Sequence, residues 1–235
     1  RSFLIVDAKT GDVKTPITES SDTYIDLAAD LGSFSVKALT NGNIIWYSER
    51  DGWGHLYLYD QEGTLLNQIT KGNFQVKTIA FIDEEKAEIV FSAGGKEPGR
   101  DPYLSHIYKA NLDGTGLKLL TSEDANHEVK LPLRRFFAMV TPNAPGPAEA
   151  SFSPTGNYFI DIFSRVNLAP KAVIRANDGT IISTLETANI SKLNEIGLIL
   201  PEPFKVMAAD GKTEIYGNIY RPSNFDPNKK YPIID

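Results

Sequence analysis

A chain of 235 residues with 41% hydrophobic and 10% aromatic side chains has enough apolar material to bury a core, and its length suits one large β domain or a domain and a half. Its 24 Lys plus Arg against 30 Asp plus Glu give a net charge of −6, which argues against nucleic acid or an anionic membrane surface as partner. The lack of cysteine excludes disulfides and thiolate chemistry, and no run of about 18 apolar residues offers a membrane span.

The predicted elements repeat. Phe3-Leu4-Ile5-Val6, the turn at Thr10-Gly11 and Pro16-Ile17-Thr18 form a first copy of a strand–turn–strand unit, which the chain enters at Arg1-Ser2-Phe3 with no signal peptide visible. In the second copy, Asn43 to Ser48 is a continuous apolar run, as a strand buried on both faces requires. Glu49-Arg50-Asp51-Gly52-Trp53-Gly54 is polar and carries two glycines, so it reads as a hairpin tip. His55 to Tyr59 returns, Glu62-Gly63 turns again, and Leu65 to Thr70 is the outer strand. The third copy runs through Thr78-Ile79-Ala80-Phe81, Glu88 to Ser92, His106-Ile107-Tyr108, Asp113-Gly114 and Leu119-Leu120-Thr121. His55 to His106, Gly63 to Gly114 and Thr70 to Thr121 are each 51 residues apart. The fourth copy holds Asn157 to Ser164, Ala176-Asn177-Asp178-Gly179 and Ser183-Thr184-Leu185. Self-similarity at this period, built from short strands and Gly turns, marks β-propeller blades. A blade cannot bury both faces alone, so most of the chain is scaffold for a larger ring.

After the last copy, Asn189 to Gly197 reads as a short helix, capped by Asn189 and closed by Gly197; Asn189-Ile190-Ser191 also fits a glycosylation sequon. Pro201-Glu202-Pro203 reads as a linker. Phe204 to Ala208 and Glu214 to Tyr220 pair across Asp210-Gly211, and Lys229 to Asp235 starts a further buried strand. The stretch from Asn126 to Pro147, which includes Arg134-Arg135-Phe136-Phe137, fits no blade.

Two segments are similar to a known family. One is Trp46-Tyr47-Ser48-Glu49-Arg50-Asp51-Gly52-Trp53-Gly54-His55-Leu56-Tyr57-Leu58-Tyr59 with Gln68-Ile69-Thr70-Lys71-Gly72. The other is Asp210-Gly211, Ile215-Tyr216-Gly217, Tyr220-Arg221-Pro222, Phe225-Asp226-Pro227 and Lys230-Tyr231-Pro232. In this order they resemble the prolyl oligopeptidase superfamily of serine peptidases, on its dipeptidyl peptidase IV branch. The resemblance implies an all-β fold: about three four-stranded antiparallel blades of a partial propeller over residues 1–187, then a linker and the first strands of an α/β-hydrolase domain over 188–235. It implies a parent that removes N-terminal dipeptides with Pro or Ala second, acts on peptides, is periplasmic or secreted, and uses a Ser–His–acid triad. Its nucleophile elbow, G-x-S-x-G, is not found in these residues, so no catalytic residue is assigned here, and neither a metal nor a cofactor is called for. The missing blades and the rest of the hydrolase domain are the implied intramolecular partners, and self-association through uncovered blade faces is the corollary. A sibling acylaminoacyl peptidase or oligopeptidase, and a non-enzymatic binding propeller, are the alternatives.

Within the chain the bland readings prevail at most polar positions. His55 and His106 occupy equivalent places, which a catalytic residue would not, and His127 also reads as structural. Ser48, Ser92 and Ser164 each end an apolar strand, where a hydroxyl satisfies backbone at the turn. Glu49, Arg50 and Asp51 read as a solvated tip, and Trp53 as packed between blades. One exception stands out. Ser48 to His55 is seven residues but Ser92 to His106 is fourteen. The extra length lies in a Gly/Pro-framed loop that offers Arg100, Asp101 and Tyr103 as candidates for substrate binding.

Overall fold

The computed structural model describes residues 1–25, 36–128 and 152–234. Three sheets, each of four antiparallel strands in sequence order, follow one another along the chain. The first blade holds β3 (Val36–Ala38), β4 (Ile44–Ser48), β5 (His55–Tyr59) and β6 (Leu65–Gln68). The second holds β7 (Gln75–Asp83), β8 (Glu88–Gly94), β9 (Ser105–Asn111) and β10 (Lys118–Leu119). The third holds β11 (Asn126–Glu128), β12 (Tyr158–Arg165), β13 (Leu168–Ala176) and β14 (Ile181–Thr187). A hairpin of β1 (Ser2–Val6) and β2 (Val13–Thr18) precedes them. Helix α1 (Ser191–Glu195) and a hairpin of β15 (Glu202–Met207) and β16 (Glu214–Ile219) follow. The expected partial propeller of three four-stranded blades is the architecture found.

Alternation along each strand divides the core into layers between blades. In β4, Ile45 and Tyr47 join Leu56 and Leu58 of β5 against Phe74, Ile89, Phe91, Ala93 and Tyr108 of the second blade. Ile44 and Trp46, on the opposite face, pack with Tyr57, Tyr59 and Ile17 of the N-terminal hairpin. The second blade repeats the device, turning Val90 and Ile107 toward Phe152 and Phe159 of the third. Burial on both faces is why these strands read as unbroken apolar runs. In the third blade the alternation shows as one buried face and one exposed face: Phe159, Asp161 and Phe163 are buried while Tyr158 and Ile160 are exposed.

Two backbone devices recur with the period. Gly63, Gly114 and Gly179 close equivalent turns, each donating its N–H to the carbonyl three residues back, at Asp60, Asn111 and Ala176. Each has φ between +87° and +93°, a left-handed conformation that a side chain disfavours. Each also abuts the outer edge of the preceding blade: a Cβ on Gly63 would lie 1.8 Å from the Pro16 carbonyl oxygen, and one on Gly179 2.3 Å from that of Leu120. The second device is a threonine that takes the place of a ladder partner. Thr70 Oγ1 accepts the Leu56 N–H at 3.0 Å, and Thr121 Oγ1 accepts the Ile107 N–H at the same distance. His55 and His106 precede those amides at the start of β5 and β9, so the predicted equivalence of the two histidines holds in register.

Other expectations need correction. The three serines are not equivalent: Ser48 lies opposite His55, but Ala93 lies opposite His106 and Phe163 opposite Lys171. A register shift after Phe163 moves Ser164 off the common position. Trp53 is not packed between blades but stands at the hairpin tip, 42% exposed. Glu202 and Pro203, read as linker, open β15, where a proline is tolerated because a two-stranded sheet is all edge. Asn189 does not occupy the helix cap itself; its Oδ1 accepts the Ser191 N–H at 2.9 Å while Ile190 holds the cap position. Gly197 does close the helix, with Leu198 N–H bonded to the Leu193 carbonyl. Residues 229–234 form no strand, and Ile233 and Ile234 are exposed; a strand buried on both faces needs neighbours that the hairpin does not supply. Asn126 to Glu128 form the inner strand of the third blade, while residues 129–151, with Arg134 and Arg135, lie outside the described residues, as does Asp235.

Candidate functional site

The long β8–β9 loop is built from its anchors outward. Tyr108 donates its hydroxyl to Glu97 at 2.8 Å, and burial followed by that bond pushes the phenol well above its ordinary range. Lys77 of β7 reaches the Tyr103 carbonyl at 2.8 Å and the Ser105 hydroxyl at 3.1 Å. Asp101 accepts the Tyr103 N–H at 2.9 Å, a tight turn stapled by its own side chain. Of the three predicted loop residues, Arg100 points inward. Its guanidinium donates to the Ser122 carbonyl at 2.7 Å and the Glu123 carbonyl at 3.3 Å, and lies against His106. Tyr103 points outward and is 74% exposed. On β16 of the C-terminal hairpin, the Tyr216 phenol is raised first by its hydrogen bond to Glu214. The loop therefore fixes Arg100 and leaves Tyr103 exposed.

Beneath this loop lies a buried polar network that sequence reading missed. Asp161 and Arg175, on β12 and β13, are 0% and 2% exposed. Arg175 Nε donates to Asp161 at 2.8 Å and Nη2 to Glu123 at 2.7 Å. His127 Nδ1 lies 2.9 Å from Asp161 Oδ2, the same oxygen that accepts from Arg175, while its Nε2 faces the Glu123 carbonyl oxygen at 3.0 Å. The His–Asp contact has the look of half a triad, but both ring nitrogens are taken and the ring is 1% exposed, so it has no free nitrogen to serve a nucleophile. Burial is the largest single influence and pushes the Glu123 carboxyl up, but the hydrogen bond to Arg175, a backbone hydrogen bond and the neighbouring positive charge together outweigh it and hold the group below its usual range. The signal that was available is an acid in the middle of the run Tyr158 to Phe163 and an arginine inside Val173 to Ala176; charges in doubly buried strands are paired.

A second cluster ties the N-terminal hairpin to the first blade. Glu19 accepts from Trp46 Nε1 at 2.8 Å, from the Ser48 hydroxyl and from Arg1 at 2.8 Å. Burial opposes ionisation there, yet these donors prevail and keep the carboxyl below its ordinary range. Arg50 is exposed at the hairpin tip, as expected, and its side chain is also anchored there. It donates to Ser48 Oγ at 2.8 Å and to the Tyr59 hydroxyl at 2.7 Å, with its guanidinium 4.4 Å from the Tyr57 ring centre. A shallow cleft of about 210 Å³ lies beside Arg1, Glu19, Tyr47 and Arg50. Among the described residues, no cluster of three or more His, Asp or Glu has the arrangement of a metal site, and no helix is long and apolar enough to cross a membrane.

Residues 1–170 match the family described as the dipeptidyl peptidase IV (DPP IV) N-terminal region. The chain belongs to that family. Dipeptidyl peptidase 4 of Trichophyton tonsurans is 27% identical over 226 residues, which is 92% of this chain and 25% of that protein. Dipeptidyl peptidase 4 of Arthroderma otae is 25% identical over 237 residues, 98% of this chain and 27% of that protein. The chain thus spans about a quarter of the curated relatives it matches. The crystal structure of Porphyromonas gingivalis dipeptidyl peptidase 4 superposes with a TM-score of 0.73 at 21% identity, over 98% of this chain and 29% of that one; at that identity the likeness concerns the fold. In this DPP IV N-terminal region His55, His106 and His127 are all buried within the blades.

Proposed function

We propose that this chain is the later part of the propeller, residues 1–187, and the opening strands of the hydrolase domain, residues 188–235, of a serine exopeptidase that releases N-terminal dipeptides with Pro or Ala second. The observation that carries the reading is the reach of the similarity. Relatives named dipeptidyl peptidase 4 align over 92% to 98% of the chain, past the 170 residues of the propeller region, so the likeness extends into the segment holding α1, β15 and β16. The blades contribute no catalytic group. They wall the chamber and restrict it to short, flexible peptides, while acylation of a serine by the peptide carbonyl, assisted by a histidine and an oxyanion hole, takes place on the hydrolase domain. A periplasmic or secreted location accords with such a peptidase.

In this reading the β8–β9 loop lies at the junction of the two domains. Arg100 fixes its base, and Asp101 and Tyr103 face the β15–β16 hairpin and the substrate passage. The experiment is hydrolysis of chromogenic anilides by the full-length protein. Gly-Pro and Ala-Pro anilides with a free amino terminus are cleaved and their N-acetylated forms are not. Preference for the acetylated substrates would assign the protein to the acylaminoacyl peptidases instead, and no cleavage of either would favour a binding propeller. Tyr103→Ala raises KM severalfold with little change in kcat; an unchanged KM would remove the loop from the substrate path.

A further inference from the structure

Two histidine rings meet at the seam between the second and third blades. His106 on β9 and His127 on β11 lie 5.4 Å apart, centre to centre, and are 2% and 1% exposed. Arg100 lies over this contact, with Nη1 3.3 Å from Nδ1 and 3.4 Å from Nε2 of His106. The same guanidinium holds the Ser122 and Glu123 carbonyls of the crossing from one blade to the next. The Ser105 N–H reaches across to Asn126 Oδ1 at 2.9 Å. At the preceding seam the equivalent His55 is settled: the Gly72 carbonyl lies 2.9 Å from Nε2, the Thr70 hydroxyl 3.0 Å from Nδ1, and Phe74 stands edge-on at 4.9 Å.

The charges that surround His106 leave a proton on it poorly matched. Arg100 is in contact, and Lys77 of β7 is held at the neighbouring Ser105. Each nearby carboxylate already has a partner: Glu97 accepts from Tyr108, Asp124 from Arg165 at 2.7 Å, Glu123 from Arg175, and Asp161 pairs with His127 and Arg175. We propose that this seam is an acid-operated joint: a proton on His106 drives off the Arg100 clamp, frees the Ser122–Asn126 crossing and lets the second and third blades part there. The joint is a property of the blades and does not depend on the parent's reaction.

The direction of the effect follows from the ring's surroundings. Burial first, then His127 and Arg100, push the His106 imidazole down to about 4, below the free value of about 6.5. The opened seam therefore binds the proton more tightly than the closed one. Closure is at full strength above about pH 6.5 and weakens as the pH falls toward 4.

Hydrogen exchange by mass spectrometry on the full-length protein, corrected for the intrinsic pH dependence, tests this. Between pH 7.5 and 5.0, peptides covering 105–107 and 120–127 gain about 30-fold in opening, the ratio set by those two affinities, while peptides of β4 and β5 do not. His106→Phe, which keeps a ring but cannot titrate, abolishes the excess, and His55→Phe leaves it intact. A uniform response across blades, or an excess that survives His106→Phe, overturns the proposal. Should the variant fail to fold, the ring carbon resonance of His106 in the wild-type protein decides: a titration midpoint well below 6.5 supports the joint, and one at or above it refutes it.

Discussion

At the scale of single residues, most of the polar positions that invite a chemical reading are occupied with holding blades together. Gly179 makes this measurable because two penalties coincide there, a φ of +93° and a carbonyl oxygen 2.3 Å from any added Cβ. Gly11 has φ +80° with nothing within 4 Å. Gly11→Ala should cost about 1–2 kcal/mol, the price of the left-handed conformation alone, and Gly179→Ala clearly more, as read from denaturant midpoints. Equal costs would mean that the close approach to Leu120 is not maintained in solution. Asp161→Asn removes the charge between His127 and Arg175 and should destabilise by about 3–5 kcal/mol, as breaking a buried pair does. Glu19 and Glu123 add an acid dependence in the same direction as His106. Both carboxyls are held below their ordinary range when folded, so their contributions are complete above that range and are lost as the pH falls through it. The sequence allowed the three histidines to be read as structural because two of them repeat. It hid the Asp161–Arg175 pair because a lone charge in an apolar run does not name its partner on the next strand.

At the scale of elements, the blades were legible and their registers were not. Turn glycines and doubly buried strands announce hairpins directly, since both depend on local backbone and pattern. Register depends on bulges, which is why Ser48, Ser92 and Ser164 share a pattern in the chain and not a place in the sheet. Likewise Pro203 reads as linker by composition, yet an edge strand has no use for its missing N–H. The threonine that ends each of the first two blades is an element-level device with a testable cost. Thr70→Val leaves the buried Leu56 N–H without its acceptor and His55 Nδ1 without the hydroxyl, so it should destabilise by about 1–3 kcal/mol. Thr121→Val loses the Ile107 acceptor alone among these bonds, and its cost should be smaller. Urea denaturation of the two variants checks the order, and a neutral Thr70→Val would show that water replaces the hydroxyl in the blade. The β8–β9 loop was found by its length, a difference of seven residues between equivalent hairpins, but the inward direction of Arg100 was not, because its partners Ser122 and Glu123 belong to the next crossing.

At the scale of the whole molecule, the two ends of the stack remain apolar. Leu4, Val6 and Val13 are more than half exposed on the N-terminal hairpin, and Tyr158 and Ile160 are 51% and 40% exposed on the last blade. A 235-residue polypeptide expressed by itself should therefore self-associate at micromolar concentration, with a scattering mass that rises with concentration; a monomer at every concentration would show that these faces are covered internally. The repeat made the propeller readable because period and turn chemistry agree. The reaction was readable only through resemblance, and the proposal that the nucleophile lies outside these blades is the central claim to be tested. Fluorophosphonate labelling of the full-length protein, followed by peptide mapping, addresses it most directly. The account predicts one labelled serine beyond residue 235, with Ser48, Ser92 and Ser164 unmodified; a label on any serine within residues 1–235 would contradict it.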